Sequence, residues 1–155
     1  KSAGQPHHFL SVTKYGHSAI VATAGNPDCH VILRGGKAPN YDEVHVRAAS
    51  ADLAAVGLPQ KIMIDFSHGN SSKDYRRQAV VCSDTCAQVS AGNTAIFGVM
   101  VESHLVEGRQ DDGAGKELCY GQSITDACIG WEATEKLLLD LSNAVAERRA
   151  LKHLG

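Results

Sequence analysis

Short, largely apolar runs recur along this chain, and each ends on a polar residue. Ser11 follows His8-Phe9-Leu10, Arg34 follows Val31-Ile32-Leu33, His68 closes the stretch that begins at Ile62, and Glu102 follows Val99-Met100-Val101. Apolar runs of this length bounded by turn residues read as buried strands. A Gly/Asn/Ser/Pro-rich turn comes after each run, and a segment of helical periodicity after most turns, so the order reads β, α, β, α, β, α, β, α. That alternation forces parallel pairing. A parallel sheet is covered on both faces, which suits a run as apolar as Ala95-Ile-Phe-Gly-Val-Met-Val101. The fold class is therefore α/β, either a barrel or a doubly wound sheet, and in both architectures the ligand site opens at the carboxyl ends of the strands. A cation, an imidazole and a carboxylate at successive tips are predicted to converge there.

The helices punctuate this order. Asn40-Tyr41-Asp42 leads into Val44, Ala48, Ala49, Leu53 and Val56 as an inward face, with Asn40 or Asp42 as the cap, Gly57 as the left-handed stop and Pro59 blocking continuation. A second helix is predicted over about 79–90, burying Val81, Cys82, Thr85, Cys86 and Val89 and ending at Gly92. The last spans about 133–149, with Leu137, Leu138, Leu141, Ala144 and Val145 on one face and Arg148 and Arg149 at the negative end of its dipole. Between Glu102 and Asp126 the polar stretch Glu107-Gly-Arg-Gln-Asp-Asp-Gly-Ala-Gly-Lys116 has no hydrophobic period and is expected to be an exposed loop, either a lid or a plain excursion.

Four βα units are half of an eight-unit barrel, which needs roughly 250 residues. At 155 residues and 43% hydrophobic content the chain reads as one domain, either a small four-stranded α/β unit or part of a larger barrel whose sheet edges need a partner. A net charge of −2 with scattered basic residues argues against nucleic acid, and no apolar stretch approaches the roughly 20 residues that span a bilayer. No charged-then-apolar leader is visible, so the cytoplasm is the expected compartment. Five cysteines without a CxxC pair suit reduced thiols, with Cys82 and Cys86 as buried structural residues.

Three groups carry chemistry. His68, Glu102 and Asp126 combine an imidazole with two carboxylates, a donor set that suits Mn, Fe, Co or Zn without selecting one. The competing reading of His68 is a hydrogen-bonded structural residue. Arg34, followed by Gly35 and Gly36 with Lys37 close by, invites an anion: the guanidinium can grip phosphate or carboxylate through two parallel bonds, and the glycines let backbone amides approach. A turn with a paired arginine is the alternative. Gly69 and Asn70 read as the turn after the strand, His7, His8, His17 and His104 as structural or surface residues, and Trp131 as a core or interface anchor.

Five ordered blocks then become specific: Ile32-Leu-Arg-Gly-Gly-Lys37 with Pro39-Asn-Tyr41, Met63-Ile-Asp-Phe-Ser-His-Gly-Asn-Ser71, Gly98-Val-Met-Val-Glu-Ser103, Glu107-Gly108, and Tyr120-Gly-Gln-Ser-Ile-Thr-Asp-Ala-Cys-Ile-Gly-Trp-Glu132. Together they resemble the carboxyl-terminal half of the metal-dependent 3-deoxy-D-arabino-heptulosonate 7-phosphate (DAHP) synthases of the short microbial type, over essentially the whole chain. The resemblance implies a (β/α)₈ barrel, with this chain supplying about four units. It implies an enzyme of the shikimate pathway to aromatic amino acids that condenses phosphoenolpyruvate with erythrose 4-phosphate and releases phosphate. By that likeness His68, Glu102 and Asp126 match three of four ligands to a divalent metal, and Arg34, with Gly35 and Lys37 beside it, matches the hold on the phosphoenolpyruvate phosphate. Arg34 and His68 would be the catalytic pair.

The resemblance also implies that the fourth ligand, a cysteine, and further substrate-gripping residues have no counterpart before Lys1. The chain alone is thus expected to be an incomplete enzyme with weakened metal affinity and little activity. The stretch His8-Phe-Leu-Ser-Val-Thr-Lys14 with Gly16-His-Ser-Ala-Ile-Val21 resembles the phenylalanine-inhibited branch, in which Phe9, Ser11 and Val21 match positions lining the effector pocket. Plain strand packing is the alternative there. Homodimers or tetramers are what the family suggests. The competing functions are a 3-deoxy-octulosonate 8-phosphate synthase, which takes a longer aldose phosphate, and a non-catalytic half-barrel that binds effector or partner subunits.

Overall fold

The computed structural model describes residues 1–113, 115 and 117–151. Two compact units divide the chain, one from Lys1 to His30 and the other from Val31 onward.

The first unit is a hairpin. Strand β1 (His7–Val12) pairs antiparallel with β2 (Ser18–Thr23), Phe9 facing Val21 and Leu10 facing Ile20. This corrects the expected first βα unit. The turn explains it: Thr13 N–H donates to His17 O and Gly16 N–H to Thr13 O, both at 2.9 Å, while Gly16 takes φ +80° and reverses the chain within four residues. A glycine there between two β-rich runs is a hairpin signal, and it outcompetes a crossover.

In the second unit β3 (Val31–Leu33), β4 (Ile62–Asp65) and β5 (Ile96–Met100) form a parallel sheet in that order. Helix α1 (Glu43–Ala55) connects β3 to β4, and α2 (Gln78–Ser90) connects β4 to β5. Helix α3 (Trp131–Leu151) closes the described chain and packs along α2. The expected signals operate locally. Asp42 caps α1 by accepting from the His45 N–H at 3.1 Å, and Gly57 takes φ +68° just past its end. The inward face of α2 is the expected one, with Val81, Cys82, Thr85 and Val89 buried.

One helix face is rotated from expectation. On α1 the buried residue is Val46, whereas Val44, and Val56 just past its end, are exposed; on α3 the expected face holds, with Leu137 and Ala144 buried and Leu141 and Val145 packed against the core, and Leu138 alone of the expected five is exposed. Trp131 is exposed as well, so it is not a core anchor. Arg148 does more than meet a dipole: its Nη1 donates to the carbonyls of Asn93 and Ile96 at 2.9 and 3.1 Å, tying the end of α3 to the start of β5. The core joins Ile62, Ile64 and Phe66 to Val46, Val81, Val89, Ile96, Ile129 and Leu137.

The polar stretch after Glu102 is not wholly irregular. Strand β6 (Val106–Arg109) takes in Glu107, Gly108 and Arg109 and pairs in a bulged parallel ribbon with β7 (Gln122–Ser123). Side-chain amides stand in for a hydrophobic period here: Gln122 Nε2 donates to Glu107 O at 2.8 Å and Gln110 Nε2 to Cys119 O at 2.7 Å. Ala114 and Lys116 lie outside the described residues.

Candidate metal centre

Strand β4 delivers Asp65 to its tip, and the three residues that follow turn sharply enough to place His68 at φ +52°. That left-handed backbone is costly for a residue with a Cβ and persists only where surroundings enforce it. Here the enforcement is a buried carboxylate. Asp65, 1% exposed, accepts from the Ser67 N–H at 2.9 Å and the Ser67 hydroxyl at 2.6 Å on Oδ1, and from His68 Nδ1 at 2.9 Å on Oδ2. With Nδ1 turned inward, Nε2 faces Glu102 Oε1 at 3.4 Å.

Glu102, two residues past β5, is fixed through its backbone. Gln78, the fully buried first residue of α2, accepts from the Glu102 N–H at 2.9 Å and donates to its carbonyl at 3.0 Å. Asp126 arrives because the segment after it pairs with the segment around Glu102: Ile129 N–H donates to Glu102 O and His104 N–H to Ile129 O, both at 3.0 Å. One ligand atom from each of His68, Glu102 and Asp126 lies within 4.8 Å of the others. The predicted trio therefore comes together at the carboxyl ends of the strands.

The donor set fits a divalent ion. Two ligands each about 2.1 Å from a shared tetrahedral ion stand about 3.4 Å apart, which is the separation of His68 Nε2 and Glu102 Oε1. Asp126, the exposed member, is the one left to close in. Charge points the same way. Burial pushes the Glu102 carboxyl above its ordinary range; His68 opposes this, the Asp126 and Asp65 carboxylates add to it, and Arg34 offsets part. Three carboxylates around one imidazole leave an excess of negative charge that a cation would neutralise. Beside them the Cys128 thiol is also held up, by burial first and then by the Glu102 and Asp126 charges.

Arg34 stands one residue beyond β3, exposed and electrostatically coupled to Glu102, with Lys37 exposed nearby. The glycines behind it have a different task from the one expected. Gly35 N–H donates to Asn40 Oδ1 at 2.7 Å and Gly36 N–H to Ala38 O at 3.0 Å, so both amides are engaged within the loop. Gly35 instead permits contact: at φ +72°, a Cβ on it would lie 2.5 Å from the Gly69 carbonyl carbon. The anion reading thus stands on the Arg34 guanidinium and Lys37.

Asn70 is more than turn punctuation. Fully buried, it donates to Asp65 O at 2.7 Å and Leu33 O at 3.0 Å and accepts from the Asn40 N–H at 2.8 Å, bolting the arginine loop to the histidine turn. Asp65, Asn70 and Gln78 were not among the expected site residues. For Asp65 and Gln78 the local hint was a polar residue inside or next to an apolar run, which is costly to bury unless its bonds are met. Asn70 had none, and Leu33, Asn40 and Glu102, to which Asn70 and Gln78 bond, are distant in the chain. In the hairpin the register places Phe9, Ser11 and Val21 on one face, because Phe9 opposes Val21 and Ser11 opposes Ala19. A cleft of about 830 Å³ between α1 and α2 opens at the other end of the sheet, where Gln60 and Asn93–Ala95 lead into β4 and β5, and holds none of these residues.

Known proteins resemble this chain in sequence and fold. The chain is 62% identical over 148 residues to the Phe-sensitive phospho-2-dehydro-3-deoxyheptonate aldolase of Escherichia coli K12, covering 96% of this chain and 42% of that one. It is 50% identical over 148 residues to the Trp-sensitive enzyme of Enterobacter agglomerans, again 96% of this chain and 42% of the relative. A solved phospho-2-dehydro-3-deoxyheptonate aldolase from Francisella tularensis superposes with a TM-score of 0.87 at 50% identity, covering 95% of this chain and 43% of that chain. The chain therefore spans less than half the length of the relatives it matches. The model of the DAHP synthetase I family matches residues 1–139, and the chain belongs to that family.

Proposed function

We propose that this chain forms about four units of a (β/α)₈ barrel in a cytoplasmic, homo-oligomeric DAHP synthase, and that residues from the rest of the barrel complete the site. The observation that carries this reading is the 3.4 Å approach of His68 Nε2 to Glu102 Oε1 with Asp126 beside them, at the tips of a parallel sheet. His68, Glu102 and Asp126 would hold the divalent ion; when bound, it polarises the erythrose 4-phosphate aldehyde or activates the attacking water. Arg34 supplies a forked cation next to that cluster, suited to gripping the phosphoenolpyruvate phosphate through two hydrogen bonds and holding the donor in line with the aldehyde. Lys37, exposed three residues further along the same loop, would add positive charge. The rigid contact between Gly35 and Gly69 sets the spacing of anion grip and metal cluster.

Among the described residues no helix is long and apolar enough to cross a membrane. The higher identity to the Phe-sensitive relative, 62% against 50% for the Trp-sensitive one, supports phenylalanine as effector, with Phe9, Ser11 and Val21 on the receiving face of the hairpin.

The test is loss of phosphoenolpyruvate with erythrose 4-phosphate and Mn²⁺, using this chain combined with a separately produced first half of a similar enzyme. Turnover that disappears with His68→Ala and is inhibited by phenylalanine is the expected result. A folded mixture that turns over only a longer aldose phosphate, or nothing, overturns the reading.

A further inference from the structure

We propose that Asp65 is a positioning residue that fixes the tautomer of His68, keeping the proton on Nδ1 so that Nε2 presents its lone pair to a cation. This rests on the reading of His68 as a metal ligand and extends it to a residue outside the ligand set.

Hydrogen-bond supply around the Asp65 carboxylate decides which ring nitrogen of His68 carries the proton. Asp65 is buried at 1% exposure, and three donors meet its carboxylate: the Ser67 N–H and hydroxyl on Oδ1, and the His68 ring on Oδ2. An ionised carboxylate only accepts, so the 2.9 Å contact with His68 Nδ1 requires a hydrogen on Nδ1. Ser67 cannot reverse that assignment. Its hydroxyl hydrogen is directed at Asp65 Oδ1, which leaves Ser67 Oγ an acceptor toward Nδ1 at 2.6 Å. Both neighbours of Nδ1 therefore demand a donor, and in a neutral imidazole Nε2 is then the bare nitrogen. A metal-binding histidine needs its second nitrogen fixed in this way, and loss of the fixing carboxylate typically weakens metal binding by about 10–100-fold. The same bond anchors the ring while the backbone sits at φ +52°, so orientation and tautomer are set together.

Asp65→Asn separates this role from packing. The amide keeps the volume and leaves an oxygen for Ser67, but turns an N–H toward His68 Nδ1, which must then accept and shift its proton to Nε2. The experiment is a long-range ¹H–¹⁵N correlation spectrum of metal-free, histidine-labelled protein at a pH where imidazole is neutral. The His68 signals are assigned by their loss in His68→Ala, and Mn²⁺ affinity is measured by calorimetry on the same samples. Wild type is expected to show the Nδ1–H form, and Asp65→Asn the Nε2–H form with Mn²⁺ bound about 10–100-fold more weakly.

An Nε2–H signal in wild type overturns the proposal without recourse to any Asp65 variant. So does an Asp65→Asn protein that keeps wild-type Mn²⁺ affinity while His68→Ala loses it. Equal Mn²⁺ binding by wild type and His68→Ala would instead remove the metal reading, whatever tautomer is found.

Discussion

The hairpin and the strand tips hold their residues by opposite means. In β1 and β2 both faces carry exposed apolar side chains; Leu10 and Ile20, paired across the strands, are each 76% exposed. A two-stranded ribbon of this kind has little stability of its own. Along β4 and just past it, Ile62, Ile64 and Phe66 are fully buried, and around the strand tips Asp65, Asn70 and Gln78 are buried with their polar atoms bonded. The lesson is that the His68, Glu102 and Asp126 cluster is pre-positioned by a finished shell within this chain, whereas Phe9, Ser11 and Val21, the residues proposed to receive an effector, share a face that nothing in the hairpin itself encloses.

The largest effect that would sharpen this contrast is on stability. Phe66→Ala should cost about 3–5 kcal/mol in urea unfolding, and Leu10→Ser should stay within about 0.5 kcal/mol. Comparable losses would break the comparison. Next comes Gly35→Ala, which asks for a Cβ 2.5 Å from the Gly69 backbone in a left-handed conformation. A destabilisation of about 2 kcal/mol is expected from the conformational term alone, together with weakened phosphoenolpyruvate binding, since the anion loop and the histidine turn would part.

A smaller effect concerns pH. The raised Glu102 carboxyl means that the folded, metal-free chain holds that proton more tightly than the unfolded chain does. Its contribution to stability is therefore greatest on the acid side and is lost as pH rises from the ordinary carboxylate range through the raised value. Glu102→Gln should be at least as stable as wild type at neutral pH and should lose that advantage on acidification, as read from thermal unfolding across pH. A variant less stable at neutral pH would show that the carboxylate is not under strain.

The smallest effect is chemical. Cys82 is buried against Cys86 at 3.8 Å, and burial pushes its thiol far above the ordinary range, so it should alkylate much more slowly than the exposed Cys119. Mass spectrometry of partly labelled protein orders the two.

Much of this was legible in the residues. The βαβαβ order, the caps at Asp42 and Gly57 and the inner face of α2 follow from period and turn chemistry, and His68 and Glu102 come from the polar residue after each run. Asp126, which the structure brings beside them, was singled out in a turn and by the family resemblance. What was not legible depends on partners distant in sequence. The hairpin turned on one glycine, Gly16, whose φ +80° decides between reversal and crossover. Val46 displaced Val44 on α1 because packing against the sheet, not helical period alone, chooses the face. Asp65, Asn70 and Gln78 looked like interruptions or turns. Their importance lies in bonds to the Ser67–His68 turn, to Leu33 and to Glu102, which no local pattern reveals.

The central claim is that His68, Glu102 and Asp126 form a metal centre on a shell already built within this chain. Electron paramagnetic resonance of Mn²⁺ titrated into wild type, His68→Ala and the hairpin variant Phe9→Ala tests it directly. The account predicts saturable uptake by wild type and Phe9→Ala alike, and its loss in His68→Ala. Uptake by His68→Ala equal to wild type would contradict it.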